Sequence, residues 1–82
     1  MKHLEYPTCG TCSRQINIDL DDNGTIQSVQ FVGGCHGNTQ GISALVKGMD
    51  AREACTRLRG IRCGNKPTSC PDQLAQALEK LL

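Results

Sequence analysis

The apolar pattern of this chain changes period once, and the change falls on Gly33-Gly34-Cys35-His36-Gly37-Asn38. Before these residues apolar and polar positions alternate, as in a half-buried strand; after them apolar residues recur every three or four positions, as on one face of a helix. Strands first and helices afterwards is the order of an α+β domain. The glycines allow left-handed backbone and close approach, and Asn38 is a good N-cap for a helix beginning near Thr39. Cys35 is thereby expected beside a helix N-terminus, where unpaired N–H groups and the helix dipole favour a thiolate.

In chain order, Ile16, Ile18 and Leu20 alternate with Asn17 and Asp19, a strand over 16–20. Asp21-Asp22-Asn23-Gly24 follows; Asn-Gly between alternating segments is a strong hairpin signal, and 26–32, with Val29 and Phe31 on one face, supplies the returning strand. Residues 4–6 offer a third strand. The expected sheet is antiparallel, of two to three strands. Beyond the changeover, Ile42, Leu45, Val46 and Met49 fall at helical spacing, with Gly48 as C-cap. Asp50 opens a second helix as N-cap, with Glu53 three residues on and Ala51, Ala54, Cys55 and Leu58 on its inner face, and Gly60 ends it. Residues 61–69 read as a loop. The third helix runs from about Cys70 to the end, with Ser69 as cap, Pro71 in the first turn, and Leu74, Leu78, Leu81 and Leu82 on one face. A homodimer through this leucine-rich helix is compatible with the pattern.

Eighty-two residues leave room for one domain, residues 1–82, with one small core. With Tyr6 and Phe31 as its sole aromatics, that core must rely on Ile, Leu and Val, and a domain so small often needs a staple or a partner. Six cysteines are the obvious staple. The first residues have no apolar run resembling an export signal, which implies a cytoplasmic, reducing setting. There, cysteines serve more often as metal ligands, redox thiols or small hydrophobes than as disulfides. No stretch approaches the ~20 apolar residues of a membrane span. A net charge of +1 gives no electrostatic footprint for nucleic acid or an anionic membrane.

Five cysteines fall in turns at element ends: Cys9 and Cys12 before the first long strand, Cys35 at the changeover, Cys63 between helices and Cys70 at the last helix start. Thiols so placed can converge on one end of a small domain, as tetrahedral zinc or an iron–sulfur cluster requires. Cys55, among Ala51, Ala54 and Leu58, is instead read as a buried small hydrophobe. The spacing of Cys9-Gly10-Thr11-Cys12 suits a zinc knuckle or a thioredoxin-type centre. The latter needs its first cysteine to open a helix, and here a strand pattern follows, so zinc or iron is favoured. The glycine-rich changeover lacks the Gly-Lys-Ser/Thr ending of a phosphate-binding loop. His36 is a ligand or base by adjacency to Cys35, or a solvent-facing loop residue. Arg52, Arg57, Arg59, Arg62 and Lys66 read as a solvated basic face, or as a docking patch for an acidic partner.

Thr68-Ser69-Cys70-Pro71-Asp72 spells the signature of the TSCPD domain family, which the chain resembles from about residue 12 to its end. Gly33-Gly34-Cys35 with Gly37-Asn38, Gly41-Ile42-Ser43, and 61–64 are similar to the family's other signatures. The family occurs as small stand-alone proteins and as a domain appended to cobalamin-dependent ribonucleotide reductases. The resemblance therefore implies an accessory role beside such a reductase, with Cys12, Cys35, Cys63 and Cys70 matching the family's cysteines. The chain has no room for a radical-bearing barrel and is not expected to be a reductase by itself.

A more distant similarity is to the U-type iron–sulfur cluster scaffold: Cys9-Gly10, the Asp22-Asn23-Gly24 turn, Phe31, Cys35, a helix, and a cysteine opening the last helix. It implies a three-stranded antiparallel sheet packed by helices, with Cys9, Cys35 and Cys70 in the places of the scaffold's thiols. Thr11 stands where the scaffold has an acidic residue, Ser69 where it has a histidine, and Asn65-Lys66-Pro67-Thr68 where it has Leu-Pro-Pro. A site-bearing fold survives these departures, and a full assembly scaffold does not.

The expected function is a small cysteine-rich module holding zinc or an iron–sulfur cluster through Cys35, Cys63, Cys70 and either Cys12 or Cys9. The alternative is a metal-free thiol-redox or regulatory partner protein of a reductase.

Overall fold

The structure, a computed structural model, describes residues 1–11, 13–34 and 36–82; Cys12, Cys35 and the side chain of His36 lie outside the description. Strands β1 (Lys2–Pro7), β2 (Ser13–Leu20) and β3 (Ile26–Gly33) are followed by helices α1 (His36–Val46), α2 (Ala51–Leu58) and α3 (Cys70–Leu81). The sheet is antiparallel in the order β1-β2-β3, as the alternating pattern implies.

Leu4 and Tyr6 stand opposite Ile18 and Ile16, which in turn stand opposite Val29 and Phe31. This puts one apolar face across all three strands. The helices cover that face. Ile16, Ile18, Leu20, Ile26, Leu74 and Leu78 are fully buried at its centre, where each large aliphatic side chain is worth about 1.5–3 kcal/mol of transfer free energy. One apolar cluster joins the sheet to all three helices among the described residues. The apolar stripe of α3 is thus spent inside the domain: Leu74 and Leu78 are fully buried, Leu81 packs on their cluster, and Leu82 is left exposed.

The hairpin between β2 and β3 is built on Asp21. Its carbonyl accepts from Gly24 N–H (3.1 Å), its N–H donates to the Thr25 carbonyl (3.0 Å), and its carboxylate accepts from the N–H groups of Asn23 and Thr25. Gly24 alone in this turn has positive φ, +83°, so the connection is a turn closed by a glycine bulge. Asp50 caps α2 as expected, accepting from Glu53 N–H, while the Glu53 side chain pairs with Arg57 instead of reaching back to the cap. Cys55 is buried, its Sγ donating to the Ala75 carbonyl (3.4 Å).

Two sequence expectations are corrected. Helix α1 begins at His36, so Gly37 and Asn38 lie within its first turn and Asn38 is not the N-cap. Gly33 (φ +81°) and Gly34 (φ +85°) both take the left-handed backbone that turns the chain ahead of this earlier start. Leu45, which falls at helical spacing with Ile42, Val46 and Met49, is 77% exposed. The buried stripe runs through Thr39, Ile42 and Val46, and Leu45 falls on the next face round the helix.

Candidate thiol site at the start of α3

Cys70 is the first residue of α3 and is buried. The helix start is held by its neighbours in sequence. Ser69, extended at φ −153°, accepts Asp72 N–H on its hydroxyl (3.1 Å) and donates that hydroxyl to the Ile61 carbonyl (2.6 Å). The Asp72 carboxylate accepts from Gly60 N–H (2.7 Å), the Thr68 hydroxyl and the Gln76 amide (2.9 Å). Burial is the largest influence on this carboxyl and pushes its pKa up. The three hydrogen bonds and the nearby Arg59 charge together outweigh it and hold the group below its ordinary value. The segment 60–69 is thereby tied at both ends to the first turn of α3.

Cys63 sits within that segment and is exposed. Its N–H donates to the Thr68 carbonyl (3.2 Å) and its carbonyl accepts from Lys66 N–H (3.0 Å), folding the loop back toward Cys70. Both cysteines line one groove of about 460 Å³, whose other wall is the first half of α1. Ile61 and Leu45, two of the exposed large apolar side chains, also face this groove, as do Gly37 and Asn38.

The strand side reaches Cys70 through a residue that the pattern did not single out. Ser13 pairs with Gly33 and Gln15 with Val32, which leaves Arg14 as an extra residue on β2. Without this bulge Ser13 would point to the opposite face from Ile16, Ile18 and Leu20; with it, Ser13 turns inward. Its side chain is 4% exposed, and its Oγ lies 3.2 Å from Cys70 Sγ. Thr11 Oγ1 is 3.1 Å from the same hydroxyl. Gly34 backs directly onto Ser13: a Cβ at Gly34 would stand 3.1 Å from Ser13 N and 3.2 Å from Ser13 Cβ.

Cys9 is exposed, and its N–H donates to Gln73 Oε1 (3.2 Å), while Gln73 Nε2 donates to Thr68 Oγ1 (3.0 Å). The segment before β2 is therefore laid against α3 through Gln73 and Thr68. Cys9, Cys63 and Cys70 all belong to one end of the domain. Among the described residues, however, no three His, Cys, Asp or Glu side chains are grouped so as to hold a metal ion. Cys12 and Cys35 lie outside the described residues; their chain neighbours Ser13 and Gly34 are the pair in contact beside Cys70.

Of the basic residues, Arg52, Arg57, Arg59, Arg62 and Lys66 are all exposed; Arg57 pairs with Glu53 and Arg59 with Glu79. No helix among the described residues is long and apolar enough to cross a membrane.

Fold and site together define a small α+β domain in which Cys63 and Cys70 line one groove at the start of the last helix. The chain matches the TSCPD domain over residues 2–82 and belongs to that family. No curated protein and no solved structure matches it.

Proposed function

We propose that the protein is a thiolate metal-binding module. Cys63 and Cys70 form one side of the site, and Cys35 with either Cys12 or Cys9 supplies the other, for zinc or an iron–sulfur cluster. The observation that carries the reading is the meeting of Ser13 with both Cys70 and Gly34: two cysteine-bearing segments converge on the helix start that holds a third thiol. Cys63 opens onto the same groove as Cys70. The donor set, sulfur at element ends around a buried hydroxyl, suits soft thiolate-seeking metals better than calcium or magnesium, which take oxygen ligands. Either Cys12 or Cys9, which is exposed and laid against α3 through Gln73, completes the set.

In this reading the metal ties β2, the changeover and α3 together, and the Ser13 hydroxyl donates to the Cys70 sulfur. Folding then depends on the metal, because a structural zinc site can contribute on the order of 10 kcal/mol. The occurrence of the domain on ribonucleotide reductases supports an accessory role beside such an enzyme. The test is elemental analysis and an absorption spectrum of protein purified anaerobically, followed by chelation and a thermal melt. Stoichiometric zinc or iron and a lowered melting temperature after chelation are expected. Metal-free protein with an unchanged melt overturns the reading.

A further inference from the structure

We propose that two copies of this chain pair edge to edge along β3, antiparallel, so that their three-stranded sheets continue into one. The two outer strands of the sheet are built differently. β1 carries Lys2, His3, Glu5 and Pro7, the charges and proline that keep an edge from pairing. β3, Ile-Gln-Ser-Val-Gln-Phe-Val-Gly, has no charged residue and no proline in eight positions. An edge this long without such protection is a template for another strand.

Part of the β3 edge is already used. Ile26 N–H donates to the Met49 carbonyl and its own carbonyl accepts from Gly48 N–H, both at 2.8 Å, and Thr25 bridges to Asp50. Past this point, residues 28–32 have no backbone hydrogen bonds among the described residues other than those to β2. Beside that open stretch a groove of about 460 Å³ separates β3 from α1. Val29 and Phe31 form one wall, Gln40 and Ser43 the other, and no lining residue is charged.

The occupant that fits is β3 itself. β3 is as free of charge as the groove beside it, and an isologous contact requires a surface complementary to itself. Antiparallel pairing centred on Gln30 sets Val29 opposite Phe31 of the second copy, an aromatic with a β-branched residue, and sets the two Gln30 amides opposite each other on the polar face. Both inner faces then continue the apolar layer of the parent sheet. This surface shares Thr39 with the cysteine groove but is lined by no cysteine among the described residues, and its test reads association and not metal content.

Sedimentation velocity on the full chain across a range of concentrations tests the proposal, together with amide hydrogen exchange. A concentration-dependent dimer is expected, with slower exchange of the amides in 28–32 as the dimer forms. Gln30→Lys, at an exposed position, should weaken the dimer up to about fivefold by setting like charges opposite each other. It should leave the far-ultraviolet circular dichroism unchanged, and Glu5→Lys on the other edge should leave the dimer intact. A chain that stays monomeric at every concentration overturns the proposal. So does a dimer indifferent to Gln30→Lys.

Discussion

The carboxylate of Asp72 accepts the backbone N–H of Gly60 at 2.7 Å across twelve residues of chain, and so joins the end of α2 to the start of α3. The same carboxylate takes the Thr68 hydroxyl and the Gln76 amide, while Ser69 caps the helix and holds the Ile61 carbonyl. Within Thr68-Ser69-Cys70-Pro71-Asp72, then, the polar residues form a clip and Cys70 is what the clip positions.

Asp72→Ala should therefore destabilise the fold by about 1–3 kcal/mol, because it leaves the Gly60 N–H, the buried Thr68 hydroxyl and the Gln76 amide without their shared acceptor. Urea unfolding measures the loss, and hydrogen exchange should show Gly60 among the amides that speed up most. A change under about 0.5 kcal/mol would show that the clip does not hold the loop.

Gly34 and Gly41 should respond to alanine in opposite ways. At Gly34 φ is +85° and a Cβ would meet the backbone of Ser13 at 3.1–3.3 Å, so Gly34→Ala strains the chain and pushes Ser13 from Cys70. A cost of about 1–3 kcal/mol is expected. Gly41 lies inside α1 with nothing within 4 Å of the added atom, and Gly41→Ala should stabilise by about 0.5–1 kcal/mol. Thermal melts of the two variants decide it; equal effects would mean that the close approach at Gly34 carries no weight.

The contrast between these glycines also shows what the sequence disclosed. Period-2 alternation placed Ile16, Ile18, Leu20, Val29 and Phe31 on one face, since a half-buried strand admits no other pattern, and Ser69, Pro71 and Asp50 marked helix starts through local chemistry. Ser13 was not legible. Its inward turn comes from a bulge at Arg14, which depends on how β2 registers against β3 and leaves no mark on residue spacing. The exposure of Leu45 escaped for a related reason: Thr39, a polar residue, occupies the buried stripe that an apolar count gives to Leu45. Cys63 and Cys70 were expected at one end of the domain and are found lining one groove. The clip on Asp72 spans residues 60 to 76, beyond the reach of any local motif.

On the polar face of the sheet, His3 Nδ1 lies 2.6 Å from Asp19 Oδ1, and Ser28 donates to the other carboxylate oxygen. The hydrogen bond to Asp19, then that to Glu5, raises the His3 pKa above its ordinary 6.5; the bond from His3, then that from Ser28, lowers the Asp19 pKa below 3.8. A raised histidine stabilises fully below 6.5 and its contribution is lost as pH rises through the folded value. A lowered carboxylate stabilises above 3.8 and its contribution is lost as pH falls through its folded value. The pair is thus strongest between about pH 4 and 6.5. An NMR titration should place the His3 midpoint above 6.5, and Asp19→Asn should bring it down; a midpoint unmoved by Asp19→Asn would refute the coupling.

Ser13→Ala separates the contribution of the hydroxyl to the fold from its contribution to the sulfur beside it. In the metal-free chain the variant removes a buried hydrogen-bonding group between Thr11 and Cys70, for a cost of about 1 kcal/mol. In the metal-loaded chain the same hydroxyl would donate to a ligating sulfur, and outer-shell partners of this kind typically carry about 10–100-fold in metal affinity. Competition with a coloured chelator should then show at least a tenfold loss for Ser13→Ala, with Ser13→Thr, which keeps the hydroxyl, recovering part of it. Equal loss in both variants would trace the effect to packing at the bulge. Unchanged affinity in Ser13→Ala would place Cys70 outside the metal site, however close the two side chains lie.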